Sequence, residues 1–248
     1  MTVLPDFDML LARLAGHRRL DIAGLSSSAE IPEPELRAVY EGMAPSPALL
    51  RRLAPVLRLH AADLFVIADL PVPDGLAPLD PRAAGLVVGL LKDAVVLPPE
   101  HRRRLRRLAG SLPQENRTEP VRTPRAYERF ERGPGGVLIR MAGNRNLSWT
   151  GIAQTFLILT GRYWAASTYG AVGHGRKELT PDLLADFATV LGVPADTLSV
   201  LTGVDVPDVP PPRCPAAVDA AELLWDIRRL TVDQVRQVAG AARVTPGA

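Results

Sequence analysis

An all-α protein built from a duplicated helical unit is the fold class this sequence predicts, on three observations. A 19-residue segment recurs in the second half of the 248-residue chain. Its apolar residues fall at helical spacing behind clear start signals. No stretch alternates apolar and polar residues long enough to argue for a sheet.

The repeat sets the boundaries. Ser46–Leu64 reads SPALLRRLAPVLRLHAADL and Thr180–Leu198 reads TPDLLADFATVLGVPADTL; without gaps they share 8 identities in 19 positions, and the remaining apolar positions match in type. Leu49, Leu50, Leu53, Val56 and Leu57 share one helical face. Ser46 and Thr180 are placed to N-cap, and Pro47 and Pro181 occupy the first turn, where a missing N–H costs nothing. Pro55 is expected inside a helix, at about 3 kcal/mol unless a kink absorbs it. Upstream, Leu20–Gly42 faces Leu147–Gly175, which carries six extra residues. Downstream, each copy continues into a helical pair, AAGLVVGLLKDAVVLPPEHRRRLRRLAG and AAELLWDIRRLTVDQVRQVAG. Residues 112–136, rich in Pro, Gly and charge, read as a basic linker. The expected organisation is 1–111, linker 112–136, and 137–248, with a second irregular stretch at 204–217.

Leu20, Leu25 and Ser26, then Leu36, Val39 and Gly42, resemble the helix-turn-helix of the lambda-repressor-like (Cro/C1, XRE) DNA-binding family. The second copy repeats the pattern with Ala153 at the small crossing position and Tyr169, Val172 and Gly175 along the second helix. The resemblance spans residues 5–70 and about 136–203. It implies two tandem domains, each with a recognition helix whose N-terminal side chains and outer face are free for the major groove.

The copies differ at the positions the resemblance assigns to DNA. Copy 1 has Pro32, Glu33, Pro34 and Glu35 there, and carboxylates are unhelpful against phosphates. In copy 2 the resemblance places Ala165, Ala166, Ser167 and Thr168 at the start of the recognition helix, with Arg176 and Lys177 just beyond its stop. Serine and threonine serve base edges or phosphates, alanine can touch a thymine methyl, and the two cations suit phosphate. The six extra residues lengthen the first helix or the turn and bring Arg162, Tyr163 and Trp164 toward the DNA face. Arg162 reads as a DNA contact or a solvated side chain. The two aromatics are expected in the core, with stacking on the sugar-phosphate edge as the rival reading.

Charge qualifies this picture. The net +2 is the sum of −4 over residues 1–80, +6 over 81–136 and zero over 137–248. Only Lys92 and Lys177 among the 29 basic residues are lysine, a bias of high-G+C genomes that makes arginine count weak evidence for DNA binding. The run HRRRLRR at 101–107 is expected to be a solvated helix face with intrahelical pairing, or else a nonspecific phosphate attractor. Arg122, Arg125, Arg129 and Arg132 offer a basic arm.

Catalysis finds no motif. His17, His60, His101 and His174 lie far apart, neither G-x-S-x-G nor a Walker loop occurs, and the one cysteine, Cys214, has no histidine near it in sequence. No enzyme activity, metal or cofactor is expected. The N-terminus has no signal-peptide pattern and no apolar run spans a bilayer, which excludes secreted and membrane classes and predicts a cytoplasmic, nucleoid-associated protein. The expected function is transcriptional regulation through sequence-specific binding of double-stranded DNA, with the tandem units covering two half-sites or, as its acidic surface favours, with copy 1 as a platform for homodimerisation or a protein partner. The alternatives are a protein-interaction module or an architectural chromosome protein.

Overall fold

Short polar caps decide where the helices begin. Side chains of Asp21, Ser46, Ser148, Thr180 and Thr231 each accept from a backbone N–H in the first turn of the helix that follows, relieving donors that have no intrahelical partner. The computed structural model describes residues 3–117, 129–209 and 214–244. Among these it is all-helical, with fourteen α-helices and one short 3₁₀ turn at Pro81–Ala83.

The first unit contains α1 (Phe7–His17), α2 (Ile22–Ala29), α3 (Glu33–Tyr40), α4 (Pro47–Val56) and α5 (Ala61–Ile67). A hairpin follows, α6 (Ala84–Val95) and α7 (Pro99–Ser111). The second unit contains α8 (Pro134–Gly143), α9 (Trp149–Thr160), α10 (Ala166–Gly173), α11 (Pro181–Leu191) and α12 (Ala195–Thr202). Its hairpin is α13 (Pro215–Ile227) and α14 (Val232–Arg243). Within the units the packing is the same: α1 on α3, α2 on α3 and α4, α4 on α5 recurs as α8 on α10, α9 on α10 and α11, α11 on α12.

The backbone carries a matching series of left-handed stops. Ten described residues have positive φ: Arg19, Glu30, Gly42, Arg58 and Asp69 in the first unit, and Asn146, Gly161, Gly175, Gly192 and Gly203 in the second. They match in order, one after each helix of each unit. Left-handed backbone costs a side-chain-bearing residue energy that glycine avoids. The second unit uses glycine at four of its five stops, the first at only one.

Two details differ from the sequence expectation. Pro55 lies in the last turn of α4, which stops at Val56, so it helps end the helix rather than kink its middle. Pro134–Gly136, read as linker, form the first turn of α8, and both glycines are buried. A Cβ at Gly135 would lie 2.2 Å from the Val172 carbonyl, so only glycine lets α8 approach α10 this closely.

The units dock reciprocally, α1 on α12 and α8 on α5, while α6, α7, α13 and α14 pack as a four-helix bundle that leans on α9 and α11. At the centre Arg145 and Asp63 are both fully buried. The Arg145 guanidinium donates to both Asp63 oxygens at 2.8 and 2.9 Å, to the Met141 carbonyl at 2.7 Å and to the Leu191 carbonyl at 2.6 Å. Asn144 donates to the same carboxylate at 2.8 Å. Trp225 of α13 lies beside the pair, stacked on His60 at 3.5 Å with the Arg228 guanidinium 3.6 Å from its centroid.

Removing one member of such a pair strands the other charge out of water. Asp63→Ala is therefore expected to cost about 3–5 kcal/mol in urea unfolding. A loss below about 1 kcal/mol, the surface-pair value, would show that Arg145 does not depend on it.

Candidate nucleic-acid interface

The second unit's candidate surface begins at Ser148, whose hydroxyl accepts from the Gly151 N–H at 3.0 Å and starts α9. This helix runs twelve residues against eight for α2, and stops at left-handed Gly161. The turn that follows, 161–165, has five residues against three at 30–32. Four of the six extra residues thus lengthen the helix by about one turn and two widen the loop.

Helix α10 is seated by its inner face. Tyr169 and Val172 are buried, with Tyr169 4.6 Å from the Phe156 ring. A Cβ at Gly170 would meet the Trp149 indole at 2.7 Å, so glycine lets α10 press on α9. Ser167 is left exposed near the helix start, with Ala166 and Thr168 half-buried on either side. Arg176 and Lys177 are exposed after the stop, their backbone N–H groups both bonded to the Ala171 carbonyl.

Tyr163 and Trp164, expected in the core, are at the surface, 62% and 36% exposed. The longer turn carries them clear of the packed face. Lys177 Nζ stands 4.3 Å from the Trp164 ring centroid, a cation–π contact that links the chain before α10 to the chain after it. All six candidate residues, Arg162, Ala166, Ser167, Thr168, Arg176 and Lys177, therefore lie on or immediately beside α10.

Arg162 is partly exposed but not free. It faces two α11 carboxylates, Asp182 at 3.3 Å and Asp186 at 3.8 Å. Asp186 is 3% exposed, and its second oxygen is buried without a hydrogen-bond partner. Burial pushes its carboxyl up to about 6, a rise that Arg162 opposes and Asp182 reinforces. The Tyr169 phenol, also buried and unpartnered, is raised by burial and by Asp186. Nothing in the sequence singled out Asp182 and Asp186, because copy 1 has Ala48 and Arg52 at those positions. There Arg52 instead donates to the Glu30 carbonyl at 2.7 Å, bracing the shorter turn from the same place.

The first unit's counterpart helix is differently charged. Helix α3 buries Leu36 and Val39 and exposes Pro32, Pro34, Glu35 and Arg37, with Glu33 half-buried and paired to Arg37.

The arginine run is a correction. Arg102 is buried and binds Asp219 at 2.7 Å, and Arg106 binds Glu222 and Asp226, all on α13. The pairing crosses between hairpins instead of running along one solvated helix. Arg103, Arg104 and Arg107 are exposed on α7, whose main neighbours are α13 and α14, not α10. Of the basic arm, Arg132 pairs with Asp6 at 2.6 Å, and Arg122 and Arg125 lie outside the described residues.

Among the described residues no group of three or more His, Cys, Asp or Glu is placed to hold a metal ion, and no helix is long and apolar enough to cross a membrane. Comparison with family models, curated proteins and solved structures finds no match.

Two buried groups give opposite pH dependences. Asp186 holds its proton from 3.8 up to about 6, so its contribution to stability is present below pH 3.8 and lost as pH rises through 6. His60, lowered by burial from 6.5 to about 4, contributes above pH 6.5 and loses that contribution as pH falls through 4. The two slopes largely cancel in the wild type. Asp186→Asn should stabilise the protein by roughly 2 kcal/mol at pH 7.5 and uncover the His60 slope between pH 4 and 6.5. Unfolding curves across pH that are unchanged by the substitution would contradict this assignment.

Proposed function

We propose that the chain is a sequence-specific, double-stranded DNA-binding regulator of transcription, built from two lambda-repressor-like (Cro/C1, XRE) helix-turn-helix units and acting at the nucleoid. Helix α10 is the element that enters the major groove. The observation that carries this reading is the two-sidedness of α10. Tyr169 and Val172 fasten it from within, while exposed Ser167 leads its N-terminal end and Arg176 and Lys177 stand at the surface just past its stop.

The chemistry follows from that placement. Ser167 and Thr168 serve base edges or phosphates, and Ala166 offers a methyl contact. Arg176 and Lys177 neutralise phosphates, and the Trp164 ring holds Lys177 in position. Arg162 reaches DNA only by leaving Asp182 and Asp186, so its contact is a competition between phosphate and carboxylate. The first unit supports the second rather than reading bases, since Glu33, Glu35 and Glu41 repel a phosphate backbone.

A second reading draws on that same acidic end. Glu35 and Glu41 are exposed on and just after α3, and Glu33 already occupies Arg37, so this face suits a basic protein partner. An architectural role would show as binding with little sequence preference.

The test is a gel shift of sheared genomic DNA over a salt series. Binding should weaken steeply with salt. The pair Arg176→Ala, Lys177→Ala should flatten log K against log salt by roughly 2, about 0.9 for each phosphate that is no longer neutralised. No binding at low salt would sink the reading.

A further inference from the structure

Equivalent residues of the two units make equivalent contacts, to a carbonyl within their own unit and to a side chain across the interface between the units. Arg145 precedes left-handed Asn146, and Arg18 precedes left-handed Arg19. Arg145 donates to the Leu191 carbonyl at 2.6 Å, just before left-handed Gly192. Arg18 donates to the Leu57 carbonyl at 3.3 Å, just before left-handed Arg58. Arg145 also holds Asp63, the third residue of α5, and Arg18 donates at 3.0 Å to the Thr197 hydroxyl, the third residue of α12. The correspondence extends outward. Arg140, five residues before Arg145, binds left-handed Asp69 at 2.6 Å; Arg13, five before Arg18, shares a surface cleft with left-handed Gly203.

An interface in which residue i of one half meets j of the other, and j meets i, is the mark of a two-fold dimer. We propose that this chain is a single-chain dimer: the face of the first unit bearing Arg13, Arg18, Asp63 and Asp69 is a dimerisation surface whose partner is the second unit of the same chain. This stands apart from the DNA-binding reading, because nothing in it requires DNA.

The residue types explain why the pairing is internal. The first unit carries both halves of the clasp, two arginines and two aspartates. The second keeps the arginines, Arg140 and Arg145, but has Thr197 and Gly203 where the first has Asp63 and Asp69. Two second units facing each other would bury Arg145 against Thr197 twice, with no carboxylate to offset either charge. The second unit therefore needs a first unit. Two first units in separate chains would match each other's charges, but the proper partner is joined covalently in the same chain, so the internal pair does not weaken on dilution and wins in dilute solution.

Three readouts on the full chain test this. Sedimentation should give a single 26.7 kDa species throughout the micromolar range; twice that mass would overturn the proposal. His17→Cys with Asp196→Cys, in a Cys214→Ser background, places a thiol on each unit where the native side chains lie 3.5 Å apart. A short bismaleimide should close that pair within one chain, whereas products of double mass on a denaturing gel would refute internal pairing. Thr197→Asp restores the missing carboxylate opposite Arg18, in the first turn of α12 where negative charge is favoured. It should raise Tm by about 2–4 °C, and Arg18→Ala should abolish the gain. A lowered Tm, or a gain that survives without Arg18, would show that the two arms are not equivalent.

Discussion

Two opposite charges taken wholly out of water, Arg145 and Asp63, set the constraint around which this molecule is arranged. Moving either into a low-dielectric interior is costly, and their attraction offsets that cost only in a geometry that satisfies the remaining hydrogen-bonding capacity. Here four separate segments meet it at every polar atom of the pair except the buried Arg145 Nε, which has no hydrogen-bond partner. Helix α5 supplies the carboxylate, the end of α8 supplies Arg145 and Asn144, the end of α11 supplies the Leu191 carbonyl, and α13 lays Trp225 alongside. The observed docking of the two units brings all of them together. The bundle then packs against α9 and α11 of the second unit.

Part of the chain's uneven charge is matched in pairs that join distant segments, most of them more exposed than Arg145 and Asp63. Acidic residues of the first unit meet cations that come later in the sequence: Asp6 with Arg132, Asp63 with Arg145, Asp69 with Arg140. Arginines of the basic middle are matched by the second hairpin, Arg102 and Arg106 against Asp219, Glu222 and Asp226, with Arg243 returning to Asp93. The opposing blocks join segments distant in the chain. The cations left exposed include Arg103, Arg104 and Arg107 on α7 as well as Arg176 and Lys177 just after α10.

Helices and their ends were legible because their causes are local. A serine or threonine cap, a first-turn proline and a spaced row of leucines lie within a dozen residues of one another, as at Ser46 and Thr180. The duplication was legible for the same reason. The docking of the units was not, since Asp63 and Arg145 are 82 residues apart and no periodicity connects them. The burial of Gly135 and Gly136 was hidden by composition, which marks glycine as linker whether it frees the chain or admits a neighbouring helix. At the candidate site the outline around α10 could be read from the repeat. The counter-charges on Arg162 could not, because they occupy positions where the copies differ.

Chemical-shift mapping of the isotope-labelled full chain against a mixed-sequence DNA duplex tests most directly whether α10 is the DNA-facing element. Amide shifts at low salt should concentrate in residues 162–177, include Ser167, Arg176 and Lys177, and fade as salt is raised, while Glu33–Glu41 stay unmoved. Shifts centred on α3, or none anywhere at low salt, would contradict it.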